Sequence, residues 1–89
     1  MKRCVMFLVS GKVQGVCYRT STQDQALALG ITGHAHNLPT GQVEILACGD
    51  DAPLAIFETW LWQGPAKAIV SEVTHKEVKF CDAPGFRTG

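Results

Sequence analysis

An apolar run from Cys4 to Val9 gives way to Gly11-Lys12-Val13-Gln14-Gly15-Val16-Cys17-Tyr18-Arg19, after which a helical pattern opens around Thr20 to Gln23. This strand-to-helix turn constrains both the fold and the chemistry. Glycine tolerates φ > 0 and lets backbone N–H groups approach a ligand with no Cβ in the way. The helix that follows adds unpaired N–H groups and the positive end of its dipole, which favour an anion. Arg19 adds a planar fork of donors that can hold two phosphate oxygens at once. Taken alone, the glycine spacing fits an ordinary loop with a surface arginine better, because short glycine patterns recur by chance.

The rest of the chain reads as alternating elements. Arg3 to Ser10 is almost continuously apolar, as in a central strand. Thr20 and Gln23 stand at capping-box spacing, and Gly30 ends the first helix. Ile31 to Leu38 reads as a second strand, Pro39-Thr40-Gly41 as a hairpin turn, and Gln42 to Cys48 as a third strand. In that third strand Val43, Ile45 and Ala47 alternate against Gln42, Glu44 and Leu46. Pro53 suits a first helical turn, and Leu54, Phe57 and Leu61 form an apolar stripe widened by Ile56 and Trp60. Gly64-Pro65 ends this helix, and Ala68 to Phe80 contains a fourth strand. The order is βαββαβ, an α+β ferredoxin-like sandwich with two helices on one face of an antiparallel sheet. In that plan the first and second strands run parallel, with the third inserted antiparallel between them. The loop after strand one and Asn37, near the end of strand two, then reach the same edge of the sheet.

Eighty-nine residues make a single domain, residues 1–89, with one core. Eight basic and eight acidic residues balance, so the basic excess expected of a nucleic-acid binder is missing. Met1-Lys2-Arg3 and the apolar run behind it resemble a signal peptide only superficially, because the run is short and no small-residue cleavage site follows. No stretch has the length of a membrane span. A cytoplasmic monomer with no membrane or nucleic-acid partner is expected. Cys4, Cys17, Cys48 and Cys81 show no zinc-ligand spacing, so neither a metal nor a cofactor is expected. Cys4 opens strand one and Cys48 closes strand three, which brings them within disulfide reach at the end away from the loop. A reducing compartment nevertheless makes free thiols the expectation, with Cys17 and Cys81 outside any bridge.

Read whole, Gly-x-Val-Gln-Gly-Val-x-Tyr-Arg over residues 11–19 strongly resembles the signature of the acylphosphatase family. A second block, Gly33-His34-Ala35-His36-Asn37-Leu38-Pro39-Thr40-Gly41-Gln42-Val43-Glu44, is similar to that family as well. His34 stands where the family commonly has tryptophan or tyrosine, a departure that concerns packing more than chemistry. The tail Phe86-Arg87-Thr88-Gly89 resembles a short form of the family's closing strand.

The resemblance implies hydrolysis of a small-molecule acyl phosphate to a carboxylate and inorganic phosphate. Arg19 and the amides of Gln14, Gly15, Val16, Cys17, Tyr18 and Arg19 are assigned to the phosphate cradle. Asn37, able to donate and accept, is assigned to the attacking water. The departing carboxylate has a conjugate acid of pKa about 4, so no strong general acid is needed. By the same resemblance the water's proton passes to the phosphate itself, and no separate base or metal is expected. Lys12 is expected near the phosphate, raising the local potential without contact. Each residue also has a plainer role open to it. Asn37 could serve only its turn, Arg19 could be a solvated arginine, and Tyr18 reads as a core aromatic. His34 and His36 share a strand face at a spacing compatible with metal, yet no third ligand is evident and packing or surface roles are expected. Trp60 reads as core and Trp62 as half exposed. A non-catalytic module that binds an anion or carbamoyl phosphate is the alternative. An RNA-binding reading is disfavoured, since strands one and three offer only Phe7 as an aromatic.

Overall fold

A computed structural model describes residues 2–79 and 85–88. Its elements are β1 (Lys2–Lys12), α1 (Tyr18–Ala28), β2 (Thr32–Asn37), β3 (Val43–Asp50), α2 (Asp51–Gln63), β4 (Ile69–Val78) and β5 (Phe86–Thr88). The strands lie in the order β4-β1-β3-β2-β5. β3 pairs antiparallel with both β1 and β2, so β1 and β2 run parallel and end at the same edge. The ferredoxin-like expectation holds, with one correction. β5 pairs parallel with β2, Gly33 opposite Phe86, which makes the sheet mixed and five-stranded.

Strand periodicity decides the core. Val5, Phe7 and Val9 of β1 and Val43, Ile45 and Ala47 of β3 turn to one face and are buried. Against them pack Tyr18 and Ala26 of α1 and Leu54, Phe57 and Leu61 of α2. Phe57 meets Phe7 edge-on at 6.1 Å and Phe86 at 6.2 Å, tying α2 to both β1 and β5. Each fully buried side chain of this size stabilises the fold by about 1.5–3 kcal/mol. The alternate residues Met6, Leu8 and Leu46 are only partly covered, which marks the sheet face that carries no helix.

Several local expectations change. Ile56 does not widen the core stripe: it is 57% exposed. Trp60 packs on the core from its edge, and Trp62 is 49% exposed, as expected. The capping box at Thr20 does not form, because α1 begins two residues earlier, at Tyr18, behind a left-handed Cys17 that makes no side-chain cap. Gln23 instead donates to the Phe86 carbonyl at 2.7 Å, and Thr22 is buried inside the helix. Gly11 belongs to β1 rather than to the loop. It sits at a register shift with φ 123°, where an added Cβ would fall 2.1 Å from the Ile69 carbonyl oxygen. Close approach of β4 therefore requires that glycine.

Cys4 and Cys48 face each other in the β1–β3 register and are joined by a disulfide. The free-thiol expectation is corrected here: antiparallel pairing and a shared side of the sheet bring the two sulfurs together. Cys17 is free and exposed. Cys81, and Phe80 at the foreseen end of the fourth strand, lie outside the described residues.

Candidate functional site

The turn after β1 is made by two positive-φ residues, Gly15 at 74° and Cys17 at 62°. Nothing lies within 4 Å of where a Gly15 Cβ would stand, so the backbone there is open on one side. Cys17 adopts the left-handed conformation without glycine's freedom, a local strain that the packing around it must offset. The first closing bond of α1 runs from Ser21 N–H to the Cys17 carbonyl at 3.0 Å. The N–H groups of Tyr18, Arg19 and Thr20 precede it and have no intrahelical acceptor.

These groups border a cleft of about 110 Å³, lined by Val13, Gly15 and Cys17 of the loop, Tyr18, Arg19 and Thr20 of the first turn, and Asn37 at the end of β2. Arg19 and Asn37 thus share one cavity although 18 positions separate them, because β1 and β2 end at the same edge. Of the other foreseen cradle residues, Gly15, Cys17 and Tyr18 line the cleft, whereas Gln14 and Val16 do not. Val16 packs against the core. The Gln14 side chain turns to the β2–β3 hairpin, donating to the Leu38 carbonyl at 2.8 Å and the Gln42 carbonyl at 2.9 Å. Lys12 ends β1 opposite Ile69 and is not among the cleft residues. A larger cleft of about 410 Å³ lies between α2 and the β1–β4 pair, with the Glu58–His75 pair at its rim, but holds none of the foreseen site residues. The smaller cleft is the one at a helix N-terminus, where backbone donors and the helix dipole favour an anion.

The electrostatics are simple. Tyr18 is buried, donates its hydroxyl to the Leu61 carbonyl at 2.7 Å, and has its phenol pushed up by that burial. It is a neutral brace between α1 and α2, not a base. His34 and His36 stack with ring centroids 4.3 Å apart. Burial lowers the His34 pKa and His36 lowers it further, against an opposing pull from Glu44. Among the described residues no three His, Cys, Asp or Glu side chains converge as a metal site. Sequence reasoning missed Thr20 as a wall of the cleft, because the helix was expected to start at that residue rather than before it. It also missed the polar side chains that hold the loop, Gln14 and Gln42, whose only signal is that Ser10 and Gln42 fall on one face at neighbouring strand ends.

Comparison with known proteins is consistent along nearly the whole chain. A family model described as acylphosphatase matches residues 5–88. The acylphosphatase of Chromohalobacter salexigens is 48% identical over 92% of this chain and 88% of its own length. The solved structure of an acylphosphatase from Coxiella burnetii superposes with a TM-score of 0.95 at 42% identity, covering 99% of this chain and 93% of that one. The crystal structure of acylphosphatase from Bacillus subtilis gives 0.93 at 28% identity, covering 100% and 99%.

Proposed function

The chain belongs to the acylphosphatase family and is an acylphosphatase, and from that premise we propose that Arg19 and Asn37 carry hydrolysis of a small acyl phosphate in the cleft at the start of α1. The observation that supports this reading is the single cavity lined by both residues and by the first turn of α1.

The phosphoryl group enters against the loop. Amide N–H groups of Gly15, Cys17, Tyr18 and Arg19 and the Arg19 guanidinium take its oxygens, and the charge that spreads over them in the transition state is met by these donors. Asn37 stands across the cleft and holds a water in line behind the phosphorus. As the P–O bond to the acyl oxygen breaks, the carboxylate leaves as a stable anion of conjugate-acid pKa about 4, needing no proton. The water's proton goes to a phosphate oxygen. Arginine and the helix dipole supply the positive field, so EDTA should leave phosphate release from benzoyl phosphate unchanged. We further propose a cytoplasmic monomer; there the Cys4–Cys48 bridge would face a reducing pool.

The test separates binding from chemistry. In Asn37→Ala, inorganic phosphate affinity should stay within a few-fold while turnover falls by roughly two orders of magnitude, as when a preorganised donor is lost. Loss of phosphate affinity in step with the rate, in a folded protein, would make Asn37 a ligand and refute the water-holding role.

A further inference from the structure

The cleft has two walls from distant parts of the chain, the loop at residues 13–17 and Asn37 at the end of β2, and no backbone ladder joins them. We propose that the Gln14 side chain is the positioning residue that fixes the Asn37 wall relative to the phosphate loop. This rests on the functional reading above and deepens it.

A carboxamide nitrogen carries two donors in one plane. Gln14 Nε2 uses both, at 2.8 Å to the Leu38 carbonyl and 2.9 Å to the Gln42 carbonyl. Those two carbonyls bracket the hairpin that follows Asn37. Leu38 O also accepts from Gly41 N–H at 3.1 Å, and Gln42 O accepts from Leu38 N–H at 2.8 Å. Each oxygen thus receives one bond from its own turn and one from the loop, which fills both lone pairs. The far side of the turn is held in turn to β1. Gln42 Nε2 donates to Ser10 Oγ at 2.9 Å, and Thr40 Oγ1 donates to Gln42 Oε1 at 2.8 Å. Loop, turn and the end of β1 are therefore one hydrogen-bonded unit, and Gln14 supplies a side-chain link between the loop and the turn.

No other neutral side chain of that length donates twice from one atom. Glutamate has the same shape but would aim acceptor oxygens at two carbonyl oxygens. A displacement of about 1 Å in a reacting group can cost up to about a hundredfold in rate, so releasing this brace should be felt in kcat before it is felt in binding.

Three variants test the idea. Gln14→Ala should lower kcat roughly ten- to a hundredfold and leave inorganic phosphate affinity within a few-fold. Combined with Asn37→Ala it should add little further loss, because a brace with nothing to position is idle. Gln14→Glu, the variant to use if alanine unfolds the loop, should show a kcat that rises as pH falls, since the protonated acid regains one donor; the native enzyme should not follow that profile. Full additivity of the two alanine changes, unchanged kcat in a folded Gln14→Ala, or a Gln14→Glu profile that matches the native one would each overturn the proposal. Full turnover in Asn37→Ala alone would instead overturn the functional reading on which it rests.

Discussion

The two ends of the β1–β3 pair are held together by different means. At the Cys4 end the fastening is covalent, through the bridge to Cys48, with Arg3 adding ion pairs to Asp51 at 3.0 Å and Glu77 at 3.3 Å. Those ion pairs are exposed and contribute little. At the Ser10 end there is no covalent link among the described residues, only hydrogen bonds from Gln42 and Gln14. One end constrains the chain and the other aims side chains. A disulfide acts chiefly by restricting the unfolded ensemble, and it needs no accuracy at the far end of the strand. An array of short hydrogen bonds adds little net stability but fixes geometry, which is what the cleft requires if it holds phosphate as proposed.

The cleft end should show the larger effect on turnover. Arg19→Ala should remove two charge-assisted hydrogen bonds of about 1.5–3 kcal/mol each, and with them turnover by roughly 10² to 10⁴, while the melting temperature barely moves. Lysine should rescue poorly, since it keeps the charge and loses the fork. Arg19→Ala turning over within a few-fold of the native protein would end the site assignment.

The opposite end should behave in mirror image. Reducing the Cys4–Cys48 bridge, which closes a separation of 44 residues, should lower stability by about 2–4 kcal/mol in urea titrations and leave kcat within a few-fold. Peptide mapping without reductant should recover the Cys4–Cys48 pair. A kcat that collapses on reduction, at a pH and temperature where the reduced protein stays folded, would mean the two ends are coupled after all.

His34 lies on β2 between the two ends, and burial and His36 lower its pKa. A histidine whose folded pKa is depressed binds its proton in the unfolded chain first. Stability is therefore whole above the unfolded value of about 6.5 and is lost as pH falls toward the folded value. His34→Tyr should flatten that slope modestly in thermal melts between neutral and mildly acid pH. An unchanged slope would assign the acid sensitivity elsewhere.

Much of this was legible in the residues. Alternation in Val43–Ile45–Ala47 and the apolar run of β1 set the core face, and two helices between four strands left one plausible sheet order. That Arg19 and Asn37 line one cleft could be expected from topology, because parallel β1 and β2 must end together. Capping was not legible. Thr20 and Gln23 have the right spacing, yet α1 starts behind a left-handed Cys17, so Thr20 falls inside its first turn, while Gln23 is drawn to Phe86 across the fold. Nor was the role of Gly11, which looked like part of an anion loop and in fact makes room for β4.

The sequence by itself determined the period of each element, which face it buries and which residue types reach the loop, because those follow from side-chain geometry along a single chain. Only the tertiary structure decided where α1 begins, that Cys4 meets Cys48, that β5 adds a parallel strand, and that Gln14 spans from loop to hairpin. Each of these depends on a contact between segments far apart in sequence. A local pattern carries no record of the partner, since the same glutamine or threonine satisfies its hydrogen bonds with whatever the fold brings within about 3 Å.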